Sequence, residues 1–311
     1  MSVFLTTLTA VCVLLLTAAP GYVLMKRRMI AEACIPGASK ILLYVCQPCL
    51  AVYTFKSTAF SVQTLTRIGI FALVALLLHA VMLSGAYLLL RKRCEQPVYR
   101  IITLATSFAN CAFFGIPIIE ALFPDAAPDL IVYTTVYALV MNIIGWTVGA
   151  AIIARSTSYI RVKGLFLNPA TVGAAVALLL FCLEIPIQAD LYGMITLLGR
   201  MCTPLSMLIM GMRLATVPIK RMFTDVRVYL ASLVKLCVMP LVAFALAAVL
   251  PIDPYSKRVF YIIACCPTAS VVLNFSEIIG EGQGEAANLV LLGTILSALT
   301  LPLMMLLLPL I

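Results

Sequence analysis

Two short stretches of this chain carry side chains suited to holding a ligand. The first reads Ser107-Phe108-Ala109-Asn110-Cys111-Ala112-Phe113-Phe114-Gly115-Ile116-Pro117. The second reads Cys265-Cys266-Pro267-Thr268-Ala269-Ser270-Val271-Val272-Leu273-Asn274-Phe275-Ser276-Glu277. Each sets a proline among amide, hydroxyl and small residues inside an apolar run. Proline removes an N–H and crowds the preceding turn, so both stretches are expected to unwind, the first around Gly115 and Pro117 and the second around Pro267. Main-chain groups freed in apolar surroundings need partners from protein, water or a ligand. Half-helix N-termini exposed by a break carry partial positive charge. The chemistry on offer is non-covalent capture of an anion, with Asn110, Thr268, Ser270 and Asn274 completing the cradle.

The elements that must position these residues follow from composition. The chain has 311 residues, 64% hydrophobic and 11% charged, against about 45–50% and about 25% in soluble domains. At roughly 20 apolar residues per helical crossing, that content allows about ten crossings and leaves no room for a soluble catalytic domain. Windows of spanning length place helices near 3–25, 39–55, 68–90, 101–123, 130–154, 169–187, 191–215, 228–250, 259–279 and 286–310. The runs are apolar on every side, which excludes the alternation of a β-barrel. The first run, Val3 to Met25, is too long for a signal-peptide core, has no basic residue before it and carries Lys26, Arg27 and Arg28 after it, so it is expected to stay as a helix.

The net charge of +9 does not point to nucleic acid, because Lys and Arg fall in short clusters between apolar runs. Fifteen lie between spans 1–2, 3–4, 5–6 and 7–8, and four lie on the opposite side. The positive-inside rule then puts both termini outside a plasma membrane. Pro48 in the second span and Pro204 in the seventh lie 156 residues apart, and later span starts repeat at a similar offset. Two five-helix halves, about 1–155 and about 165–311, are the simplest reading of one all-α membrane domain. An odd number of helices per half inverts the second relative to the first.

Other residues are weighed beside these. Tyr44 and Gln47, next to Pro48, are candidates to face a substrate, although a plain kink is the simpler role for Pro48 and Pro204. Glu120 and Glu277 end the two interrupted spans and are candidates for a coupling cation. Cys46-Gln47-Pro48-Cys49 is a C-x-x-C without the strand-to-helix context of a redox motif, and the eleven Cys have no framework spacing, so reduced thiols are expected. His79 is the one histidine, and no cluster has metal-ligand spacing; no metal or cofactor is expected, and His79 reads as a hydrogen-bonded residue between helices. Lys235 and Arg200 lie within spans, where charge is costly unless paired inward or snorkelling to an interface.

Taken together, the chain resembles the auxin efflux carrier family, which includes bacterial malate permeases and plant auxin carriers. Asn110, Phe113, Gly115 and Pro117 match its N-x-G-F-x-G-x-P crossover, with Ala112 in place of the first Gly. Lys163 with Asn168-Pro169, Pro204-Leu205 with Gly211 and Leu214, Lys235 with Pro240, and the run Pro267, Ala269, Glu277, Gly280 match further motifs. The resemblance spans essentially the whole chain. It implies ten helices in two inverted repeats, with spans 1, 2, 6 and 7 as a scaffold and often a homodimer surface, and spans 3–5 and 8–10 as a transport unit. An amide expected near Val271 is absent, with Asn274 one turn on, and the long central hydrophilic loop of plant members is missing.

The resulting expectation is a carrier that exports or exchanges a small organic anion such as a carboxylate by alternating access. No Walker loop is present. A 100 mV potential supplies about 2.3 kcal/mol per charge, roughly a 50-fold concentration ratio. An intramembrane enzyme lacks a nucleophile and base at one depth; a passive anion channel or membrane ligand sensor is the alternative.

Overall fold

The computed structural model describes residues 2–155, 168–217 and 223–311, with the side chains of Asn274 and of residues 277–279 left outside that description. The basic residues Arg161, Lys163, Lys220 and Arg221 counted above lie outside it too. Among the described residues the chain is helical and has no β-strand. The helices are α1 (Val3–Lys26), α2 (Cys34–Lys56), α3 (Val62–Arg93), α4 (Pro97–Ala105), α5 (Cys111–Leu122), α6 (Ala127–Ala154), α7 (Pro169–Cys182), α8 (Ala189–Thr216), α9 (Val226–Val249), α10 (Pro254–Cys265), α11 (Val271–Ile279) and α12 (Gln283–Leu310). Seven of them, α1, α2, α3, α6, α8, α9 and α12, are long and apolar enough to cross a membrane.

Side-chain caps set five of the twelve starts. Ser2, Ser61, Asn168, Asp225 and Asp253 cap α1, α3, α7, α9 and α10, each side chain accepting a main-chain N–H of the first turn, which satisfies one of the donors that a helix start leaves free. The Ser61 cap explains why α3 begins before the expected residue 68. The expected run to residue 187 stops at Cys182, because Glu184 takes a φ of 49° and turns the chain out of the helix.

Three of the prolines inside helices are absorbed by local widening. The π-turns at 42–46, 111–115 and 234–238 end two residues before Pro48, Pro117 and Pro240. One extra residue in the turn makes space for the ring and relieves the lost hydrogen bond. Pro48 is thus a widened turn, where a plain kink was expected. A fourth π-turn, 145–149, lies between Gly145 and Gly149 without a proline.

Packing follows the glycines. α1 runs along α8 and α2 against α7 and α8. Gly21 and Gly211 leave no room for a Cβ against the carbonyls of Leu208 and Ala18, and Gly173 lies as closely on Pro48. These seams bring backbones together and gain dispersion contact where no hydrophobic driving force acts between lipid-bathed helices. α3 packs on α6, and α9 on α10 and α12.

Candidate functional site

Both sequence-marked stretches are interrupted: the chain leaves the helix between α4 and α5 and again between α10 and α11. The two interruptions meet. Ala109 and Thr268 form an isolated antiparallel bridge, in which Asn110 N donates to Pro267 O at 2.8 Å and Ala269 N donates to Phe108 O at 3.0 Å. Each half gives one hydrogen bond and takes one, so groups freed by one break are satisfied by the other. Thr268 Oγ1 donates to Ala105 O at 3.2 Å, at the C-terminal end of α4.

The break in the first stretch lies at 106–110, upstream of the Gly115 and Pro117 around which unwinding was expected. The reason is the π-turn at 111–115, which accommodates Pro117 within α5. Gly115 is buried against Thr134, Ile263 and Cys266.

The C-terminal end of α10 carries partial negative charge and is met by Lys235. Its Nζ, fully buried, donates to Ala264 O at 3.0 Å and Cys266 O at 2.6 Å. This is the inward pairing that a lysine within a span requires. His79 is also fully buried; its Nδ1 bonds Ala75 O at 2.8 Å on its own helix, and its contacts to other elements are the rings of Phe108 and Tyr137. The hydrogen bond between helices expected for it is therefore replaced by ring packing.

A chamber of about 140 Å3 opens at the start of both second half-helices. Asn110 and, from α5, Cys111, Ala112 and Phe113 line it, as do Ala269, Ser270 and, from α11, Val271, with Gln47 of α2, Asn168 before α7, and Thr135, Asn142 and Trp146 of α6 on the remaining sides. The starts of both half-helices thus border one space. Three buried polar atoms around it have no protein partner: Gln47 Oε1, Asn110 Nδ2 and Trp146 Nε1. They are three of the eleven such atoms among the described residues.

A second chamber of about 280 Å3 shares Leu43, Gln47, Phe113 and Ser270 with the first and is also lined by Lys40 and Arg213. At the opposite end of α2, polar contacts close the structure. Thr54 and Thr135 hydroxyls lie 2.8 Å apart, buried, and Ser57 and Thr58 donate to Pro128 O at 2.9 and 3.2 Å. Arg200 donates to Tyr53 OH at 2.9 Å, lies over its ring, and reaches Glu120 at 3.9 Å.

Of the residues marked from sequence, the structure gathers Asn110, Ser270 and Gln47 at the first chamber. Pro267 and Thr268 serve the bridge, and Gly115 and Pro117 lie behind it. Tyr44 is corrected: it is 62% exposed on the outer surface and lines neither chamber, because the π-turn that contains it rotates it away from Gln47. Glu120 faces an arginine. The side chains of Asn274 and Glu277 lie outside the description. Trp146, Asn142 and Thr135 were not marked; the usable signal was a lone Trp one turn after an Asn, between two glycines, in an apolar span.

The arrangement defines a polytopic helical membrane protein with a chamber between two interrupted helices. A family model described as "Membrane transport protein" matches residues 6–305, and the chain belongs to this family, the auxin efflux carriers. It is a membrane transporter by family. A comparison with curated proteins finds no match.

Proposed function

We infer that the protein is a carrier of a small organic anion, working by alternating access in the plasma membrane. The observation that carries this reading is the convergence of two half-helix N-termini on one chamber where buried polar atoms stand without partners. Helix starts favour negative charge, which suits an anion between them.

In this reading the ten spans form two inverted repeats, the α4–α5 and α10–α11 pairs each counting as one crossing. The reciprocal bridge between the two breaks and the glycine seams of α1 on α8 and α7 on α2 support that symmetry. α1, α2, α7 and α8 act as scaffold, and the remaining helices move. The basic residues between spans put Lys40 and Arg213 on the cytoplasmic side with both termini outside. The second chamber then faces the cytoplasm, while the Thr54–Thr135 and Arg200–Glu120 contacts hold the outer side shut. A path closed at one end while wide at the other suits a carrier better than a continuous channel. Glu120 and Glu277 remain proposals for ion coupling, and a homodimer through the scaffold one for assembly.

The test is counterflow in proteoliposomes. Preloading with unlabelled carboxylate should accelerate saturable uptake of labelled carboxylate, and a membrane potential should drive net movement. Conductance that never saturates would reject the carrier.

A further inference from the structure

Arg100 stands near the start of α4, among the basic residues between spans, yet it is buried, only 7% exposed. Its guanidinium meets two acceptors far apart in sequence. Nη1 donates to Ile153 O at the C-terminal end of α6, where Arg155 takes a φ of 52° and the helix stops. Nη2 donates to Glu281 Oε2 at 3.0 Å, 181 residues along the chain. A helix C-terminus carries partial negative charge, and the planar fork of an arginine can hold it and a carboxylate at once.

Glu281 is placed by its neighbours. It sits between Gly280 and Gly282, whose φ values of 74° and 69° lie in the left-handed region that glycine adopts without steric cost. These two residues turn the chain from α11 into α12. A Cβ on Gly282 would stand 2.1 Å from Ile101 Cδ1, so the turn lies flush on α4 beside Arg100. α11 and α12 both pack on α4, and α11 also packs on the end of α6.

An isolated surface ion pair contributes little, but this one joins elements of both halves of the chain. α4 runs from Arg100 toward the bridge at Ala109, and α11 runs from the bridge at Thr268 toward Glu281. The bridge alone would leave the two half-helices free to swivel about it. A second tie at their other ends fixes the angle between them. Resting on the carrier reading above, we propose that Arg100 is a positioning residue that clasps α4 and α11 at the ends away from their bridge, so that both halves move as one body during transport. Neither Arg100 nor Glu281 lines a chamber, so losing the clasp should act on movement more than on affinity.

Two variants test this. Glu281→Ala removes an acceptor whose side chain is 53% exposed, which spares the core, and Arg100→Gln removes the fork. Amide hydrogen exchange of purified Glu281→Ala should rise at the end of α6, residues 150–155, as well as in the turn at 280–283. A rise confined to the turn would overturn the clasp. In proteoliposome counterflow, the maximal rate per binding site counted by calorimetry should fall about fivefold or more in both variants, with Kd within about twofold of the parent. Unfolding would lower the number of sites and leave the rate per site unchanged. Parental rates in both variants, weaker binding at a parental rate, or a loss in Arg100→Gln that Glu281→Ala does not share would each overturn the proposal. Absence of counterflow by the parent for every carboxylate would count against the carrier reading, and hydrogen exchange would still decide the clasp.

Discussion

Replacing Asn110 by alanine should move stability and binding in opposite directions. The Asn110 side chain is 4% exposed, and its Nδ2 donates to nothing in the protein. An unsatisfied buried donor costs about 1–3 kcal/mol, a penalty the empty protein carries and Asn110→Ala removes. The main-chain bond from Asn110 N to Pro267 O survives the substitution, so the bridge is kept. Truncation loses some packing, which offsets part of the gain; the net expectation is a melting temperature equal to or slightly above that of the parent. Binding should suffer, because a hydrogen bond to a charged acceptor contributes about 1.5–3 kcal/mol, or about 10- to 150-fold in Kd. The assay pairs thermal unfolding of the purified protein, without ligand, with calorimetric titration by a carboxylate. A variant that melts several degrees lower yet binds the acid unchanged would refute the reasoning, since the amide would then be a structural group.

Two further perturbations probe the closed side and one helix cap. Thr54→Cys with Thr135→Cys puts thiols where buried hydroxyls stand 2.8 Å apart; oxidation should lock the outer side and stop counterflow, and reduction should restore it, whereas transport that persists in the oxidised pair would show that these helices do not part. Asp225 caps α9, and its carboxyl is held below the ordinary range chiefly by hydrogen bonds from the Arg227 guanidinium. A depressed folded-state pKa adds stability that is present above the unfolded value of about 3.9 and lost as pH falls through the lower folded one. The melting-temperature advantage of the parent over Asp225→Asn should therefore shrink below about pH 4, and an advantage independent of pH would argue against the ion pair.

The all-helical membrane character and both interruptions were legible in the sequence, because long apolar runs leave few alternatives and because proline among hydroxyl and amide side chains contradicts such a run locally. The exact site of the first break was not. Pro117 reads as the breaker, but a widened turn accommodates it, and the chain opens instead where Asn110 and Phe108 find partners on the other half. That pairing joins residues 157 and 161 apart by main-chain groups, which leave no mark on residue type. Tyr44 and Gln47 show a related limit. Residues three apart share a face of an α-helix, yet the π-turn at 42–46 separates their directions, so Gln47 reaches the chamber and Tyr44 points outward. Trp146 was missed because an aromatic residue in an apolar span ordinarily packs against neighbours, and its unpartnered nitrogen becomes visible only with the surrounding helices in place.

The bridge between the two interruptions consists of peptide groups alone, with Ala109 opposite Thr268 at its centre. A joint of that kind is indifferent to what its flanking residues carry outward. If Asn110 and Ser270 select the cargo as proposed, they can be exchanged for other polar or apolar residues while the framework that presents them stays assembled, and one architecture would be retuned by a few substitutions without rebuilding its centre.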